Sequence, residues 1–406
     1  MVKLVKKNPI VVIFATYIAI EICKVTGFVS GPSIQRFFEL SNSQLGLILS
    51  SLSLGALLMN IGIGHISDFL GLWKIWKIGI LGSIASIVLF FAAAGFWSVL
   101  IPLFLLGVLH VLTLNANNVY LSGEFKENSF HVMALASGLW FGSSIISTPL
   151  IGLWIEYANN AELGRMMFLV PYSFDILLLL AVFILGSRLA KPLIKKTEFE
   201  DRKNAEKLKG TENPEKRNIF GWVSIIIISY CHGTMIVGII TWANPMVQEK
   251  FAVADFYGSL TFAAFAVGLA AGRFLSAAGY VKLSTRTMLV ISGAAGGLIF
   301  TAAMLAAGFW LTIIFIVMGG LAVSTTAPCI LTLVPEQFPT IRAHLYGHMG
   351  ASICIAAFMA PSTIGLIADY GVPINVAMLL VPIAALIMGI TSFIWKLHDR
   401  MIQVDI

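Results

Sequence analysis

Glu21 and Lys24 stand three residues apart inside an apolar run that continues past Gly31. At i and i+3 they share one face of a helix. A charged side chain at mid-membrane costs about 2.5–3.5 kcal/mol on insertion scales, so such groups face a cavity or a partner. Two roles are open to the pair: mutual neutralisation of buried charge, or proton coupling in which Glu21 titrates beside Lys24. Lys24 could instead meet an anionic solute. A second group is the amide cluster Asn115, Asn117 and Asn118. Asparagine brings two donors and an acceptor, matched to hydroxyl-bearing solutes, although such residues also bond helix to helix. Asn115 and Asn118 share a helical face, and Asn117 lies about 100° from Asn118.

A third group is Tyr230, His232, Trp242 and Asn244, followed by Pro245. The "TWANP" segment predicts a local break or bend in its helix. Trp242 reads either as a stacking surface for a solute or as an aromatic belt residue at the membrane interface. His232 reads either as a proton carrier or as a packing histidine. Trp140, Thr325, Thr326 and His348 complete the expected lining, with Tyr17 and Asn60 as further candidates. Asp175, near Pro171 and Tyr172, is a buried acid with no role assigned.

The elements that carry these residues follow from composition. Of 406 residues, 58% are hydrophobic and 11% charged, and mean hydropathy is +0.91. Soluble domains carry about 25% charged residues, so soluble enzymes, nucleic-acid binders, coiled coils and disordered chains are excluded. A polytopic, all-α membrane protein is expected. Cys23, Cys231, Cys329 and Cys354 lie in apolar runs without CxxC or metal-ligand spacing and read as packing residues. There is no P-loop, GxSxG, HExxH or CxxC pair of pairs. Neither catalysis, a metal nor a cofactor is therefore expected.

With about 20 apolar residues needed per crossing, twelve spans are predicted. They lie near 9–30, 44–65, 76–95, 97–121, 131–154 and 166–188, then 219–247, 256–278, 285–307, 309–334, 343–367 and 373–396. The strongly polar stretch 189–218 separates residues 1–188 from 219–406. It includes "KKTEFEDRKNAEKLKGTENPEKR" and reads as a charged linker. With the N-terminus inside, alternate loops collect 22 Lys and Arg against three on the other side. That asymmetry predicts both termini in the cytoplasm and explains the basic pI near 9.1 without nucleic acid.

The halves repeat each other. "PLIGLWIEY" (Pro149 to Tyr157) and "PSTIGLIADY" (Pro361 to Tyr370) place Gly152, Glu156 and Tyr157 at the same spacing as Gly365, Asp369 and Tyr370. "GHISDFLG" (Gly64 to Gly71) and "GRFLSAAG" (Gly272 to Gly279) likewise match in their end glycines. Parallel repeats of this kind suit two bundles that rock about a central site.

"GHISDFLGLWKIWKIG" also resembles the loop 2–3 signature of the major facilitator superfamily, through Gly64, Asp68, Gly71, Lys74 and Lys77. The resemblance implies twelve helices in two pseudo-symmetric six-helix bundles, a cytoplasmic loop in which Asp68 helps to latch the halves, and a working monomer. It also places the first helix along the central cavity. A looser resemblance links "NANNVYLSGEF" and "ASGLWFGSSIISTPLIG" to the branch that includes fucose–proton symporters. Here Asn118 stands where that branch has Pro, and Thr113 near where it has an acid. The expectation is a secondary transporter of a small hydrophilic solute, with a sugar or polyol taken up with protons ahead of an amphipathic exporter or an organic-anion carrier. A bacterial inner membrane is the expected location, and bilayer, solute and protons the expected partners.

Overall fold

The computed structural model describes residues 8–124, 129–189, 219–277, 283–337 and 342–404. The linker and Lys126 lie outside them, as do the side chains of Gly64 and Asp68. Fourteen helices are described: α1 (Asn8–Phe37), α2 (Asn42–Leu70), α3 (Leu72–Phe91), α4 (Phe96–Glu124), α5 (Ser129–Asn160), α6 (Met166–Leu189), α7 (Ile219–Phe251), α8 (Asp255–Ala277), α9 (Thr285–Leu305), α10 (Phe309–Val323), α11 (Thr326–Gln337), α12 (Arg342–Asp369), α13 (Ile374–Ala377) and α14 (Leu380–Val404). Twelve segments are long and apolar enough to span a membrane. Helices suit that solvent because each satisfies its own backbone hydrogen bonds. Large apolar residues such as Leu58, Ile146, Phe174, Leu298 and Ile390 lie on the outside, as a lipid-facing surface requires.

α1 to α6 pack into one bundle and α7 to α14 into a second. Two seams join them, α2 against α12 and α5 against α8, with a smaller contact between α1 and α7. The turns after α1, α3, α5, α7, α9 and α12 lie at one end of the molecule, here the distal end. Both chain termini lie toward the opposite, proximal end. In the proximal turn between α2 and α3, Gly71 has φ +82°, a conformation that favours glycine. Trp76, in the signature segment, is fully buried and lies in contact with Gly186 of α6, while Trp73 stacks on it with ring centres 5.1 Å apart.

Two helices differ in detail from the expectation. The span expected over 309–334 is present as Phe309–Leu333 and is carried by two helices, α10 and α11, with a turn at Ser324 and Thr325 between them. Pro328 then falls in the first turn of α11, where a missing backbone N–H costs least. Conversely, α7 is not broken at "TWANP": it runs unbroken past Pro245 for 33 residues. Membrane helices tolerate such prolines where neighbours supply compensating contacts.

The distal end is sealed by polar contacts between the bundles. Arg36 of α1 forms an ion pair with Asp255 of α8 at 2.8 Å and donates to Gln248 of α7 at 3.2 Å. Asp369 accepts from the backbone N–H groups of Asn42 and Ser43 at the start of α2, both at 2.8 Å. Glu156 accepts from the N–H of Phe256 at the start of α8, at 3.2 Å. Each acid thus caps a helix of the other bundle, where unpaired N–H groups and the helix dipole favour negative charge. The repeated glycines allow the approach: Gly365 packs against Asn42, and Gly152 against Ser259.

Candidate functional site

α1, α4 and α5 bring one polar cluster together inside the first bundle. Glu21 is fully buried, and Lys24 keeps 18% of its side chain accessible. Their Nζ and Oε2 atoms lie 2.5 Å apart. Ser144 of α5 donates to the other carboxylate oxygen at 3.0 Å. Lys24 also sits over the Trp140 ring, 4.8 Å from its centre, so the ammonium is held by a carboxylate and an aromatic face together. It lines a narrow cleft of about 10 Å3, room for about one water, with Gly27, Phe28, Leu49, Leu52 and Leu103. His110, buried on α4, lies within electrostatic reach of Lys24.

One turn toward the proximal end, the Tyr17 hydroxyl donates to Asn118 of α4, and its ring lies 6.0 Å from that of Trp140. Asn118 is exposed, although its partner Tyr17 is buried. Asn115 is half-buried, and Asn117 is fully buried with neither amide atom hydrogen-bonded. The three amides therefore do not act together. Tyr17, Glu21, Lys24, Asn118 and Trp140 form one site; Ser144 joins it, legible in retrospect as the i+4 neighbour of Trp140.

The candidates on the second bundle are dispersed. His232 is buried on α7 and its Nδ1 is 2.7 Å from the Thr326 hydroxyl. Thr325 pairs with Ser292 at 3.2 Å. Trp242 is fully buried and donates its indole N–H to the Pro361 carbonyl at 3.0 Å, which places it in the α7–α12 packing and not in an interfacial belt. Asn244 donates to the Val29 carbonyl at 3.4 Å and accepts from Gln248 at 2.9 Å, joining the distal seal. Tyr230 is partly exposed beside Met359, and His348 is exposed beside Trp222. Asn60 reaches Cys354 across the α2–α12 seam at 3.9 Å. Lys74 is exposed, and Lys77 lies 5.9 Å from the Trp73 ring.

Two groups have a different weight from the one their sequence positions suggest. Arg273, half-buried and one of the 22 Lys and Arg assigned to the cytoplasmic side, lies two residues inside the end of the α8 span (Asp255–Leu275). It donates to Ser137 of α5 at 2.9 Å and stacks its guanidinium 4.5 Å from the Phe141 ring. The signal for it was simply its distance from the end of a 21-residue apolar window. Asp175 is fully buried, and neither oxygen has a hydrogen-bond partner among the described residues. Its neighbour Thr26 commits its hydroxyl to the Ile22 carbonyl at 3.0 Å. No cluster of metal-ligating side chains occurs among the described residues.

Residues 10–305 match the family model of the Major Facilitator Superfamily. Among solved structures, the chain is similar to a bacterial homolog of the human lysosomal transporter Spinster, in an inward-facing and unoccupied conformation. That match has a TM-score of 0.66 at 13% identity and covers 95% of this chain and 94% of the other. No curated protein sequence matches significantly.

Proposed function

The chain belongs to the Major Facilitator Superfamily, and on that footing we propose that it moves a small, hydroxyl-bearing hydrophilic solute together with protons. Membership makes it a secondary transporter working by alternating access, and not an enzyme. The observation that carries the finer reading is the Glu21–Lys24–Trp140 arrangement: an acid wholly out of water, whose counter-ion keeps part of its side chain accessible. With Glu21 ionised, Lys24 is neutralised at 2.5 Å. A proton on Glu21 removes that attraction, and Lys24 turns its charge to whatever enters beside Trp140. Occupancy of the site and protonation of Glu21 then favour each other, which is the linkage that coupled transport requires.

Tyr17, Asn118 and Trp140 supply a hydroxyl, an amide and an aromatic face suited to a solute with several hydroxyls. Trp242, Asn244 and Thr325 are engaged in packing or helix–helix contacts, so we assign them to the scaffold. His232 with Thr326 remains on the solute side as a neutral donor–acceptor pair. The loop charges support cytoplasmic termini, with the distal end outside. In that orientation the sealed distal end corresponds to an inward-facing state, the state named for the Spinster homolog. The chain needs no partner subunit to complete this site, which supports a monomer.

The test is uptake into proteoliposomes under an imposed pH gradient. Glu21→Gln keeps shape and hydrogen bonding but cannot carry a proton. It is expected to abolish pH-driven accumulation while retaining solute exchange at equal pH. Undiminished accumulation in the variant would overturn the coupling role.

A further inference from the structure

Arg273 is a second cation within the spans, two residues from the proximal end of the Asp255–Leu275 segment and half-buried, and among the described residues no carboxylate lies within ion-pair distance of it. Its contacts are a serine hydroxyl and an aromatic face, and its Nε is buried without a partner. Guanidinium in an apolar setting is expected to be paired, and a planar fork of donors fits a carboxylate better than any neutral group. His232 of α7, a neutral imidazole beside Thr326, lies within electrostatic reach of Arg273.

Placement gives Arg273 a meaning that its lack of a partner alone does not. Ser137, Trp140, Phe141 and Ser144 fall at i, i+3, i+4 and i+7 along α5, a single stripe. Glu21 and Lys24 of the first bundle lie against Ser144 and Trp140. Arg273 of the second bundle lies against Ser137 and Phe141. Two cations from opposite bundles thus meet adjacent turns of one helix face, with the Tyr17–Asn118 pair beside them. Alternating access requires a solute that touches both halves.

We propose that the solute carries a carboxylate as well as hydroxyls, and that Arg273 and Lys24 receive that carboxylate from the two sides. This deepens the reading above and rests on it: the solute class becomes hydroxy-carboxylates, such as sugar acids, in place of neutral sugars and polyols. Charge balance supports it. With Glu21 ionised and the site empty, one positive charge is uncompensated. Loading one proton onto Glu21 and one carboxylate beside Lys24 and Arg273 leaves the same single positive charge. The loaded and empty carriers then cross the membrane field with equal charge, so transport is electroneutral at one proton per monocarboxylate.

The experiment compares matched solutes in proteoliposomes: gluconate against sorbitol, and lactate against glycerol, under a pH gradient with the membrane potential clamped by valinomycin and potassium. Uptake is expected for a carboxylate and not for its neutral match, with no change in initial rate when the clamped potential is varied. Arg273→Gln is expected to raise KM for the carboxylate at least tenfold, with Arg273→Lys recovering part of that loss. Gluconate or lactate is also expected to raise the thermal midpoint of the wild-type protein and not of Arg273→Gln, a readout that a purely structural Arg273 would leave equal in both. Proton-driven uptake of sorbitol or glycerol alone would overturn the carboxylate and leave the coupling proposal standing. Uptake of a carboxylate that ignores the pH gradient would overturn the coupling. An unchanged KM in a folded Arg273→Gln would overturn the assignment of Arg273.

Discussion

Gly46 sits where α2 crosses α12, and a Cβ built there would lie 2.7 Å from the Pro361 carbonyl oxygen and 3.2 Å from the Ser362 Cα. Ordinary contact begins near 3.4 Å, so Gly46→Ala requires the two helices to part by about 0.7 Å. The neighbour is backbone, and the Trp242 indole holds that carbonyl at 3.0 Å, so it cannot swing aside as a flexible side chain would. Overpacking of this kind costs about 1–3 kcal/mol. The strain exists only while the distal seam is closed, so it acts on the equilibrium between the two access states. At 1.4 kcal/mol per tenfold, the closed-to-open ratio at the distal end falls by about 5- to 150-fold. Spin labels at Trp97 and Trp310, exposed near the distal starts of α4 and α10, report the separation by pulsed electron resonance. Gly107→Ala is the control, because its Cβ meets Leu52 within the first bundle; it costs stability without biasing access. The reasoning is refuted if Gly46→Ala folds and gives the wild-type distance distribution.

Other outcomes follow from the same contacts. Asp369→Asn and Glu156→Gln each remove a charge from a helix start, worth about 0.3–1 kcal/mol at an exposed site. The double variant is expected to open the distal end more than either single one, read with the same label pair. Tyr17→Phe leaves the exposed Asn118 amide to water, costing about 1 kcal/mol of site organisation; a rise in KM of about fivefold with little change in maximal rate is expected. Asp175→Asn replaces a buried, unbonded carboxyl by a neutral isostere. Thermal unfolding within about 1 kcal/mol of wild type and intact pH-driven uptake are expected, and lost uptake would identify Asp175 as a coupling group.

The fold was legible because its signal is long. Twenty apolar residues in a row have one physical solution in a bilayer, and that signal repeats twelve times. Helix ends were less legible: α1 and α7 extend past the apolar stretches first marked, α1 ending where Asp255 of α8 meets Arg36 and α7 where its own Glu249 accepts from the Ile374 N–H. The Glu21–Lys24 contact was visible in its spacing, whereas Ser144 reaches Glu21 only because α5 packs on α1. Trp242 and Asn244 have the chemistry of solute ligands and are committed to Pro361 and Val29 instead, partners that no local pattern reveals. Arg273 was hidden for the opposite reason. A cation near a span terminus has the same sequence signature whether it lies in a loop or points between bundles.

The capping of α2 by Asp369 and of α8 by Glu156 has a consequence for how the protein tolerates mutation. The donors are main-chain N–H groups of Asn42, Ser43 and Phe256, and every residue except proline supplies one. These two caps, unlike the Arg36–Asp255 ion pair beside them, are therefore encoded on one side only. Side chains at the receiving positions are free to vary while the lock holds, and the acids are not. Drift can accordingly rewrite the receiving side of both caps while they hold, a robustness that the complementary Arg36–Asp255 pair lacks.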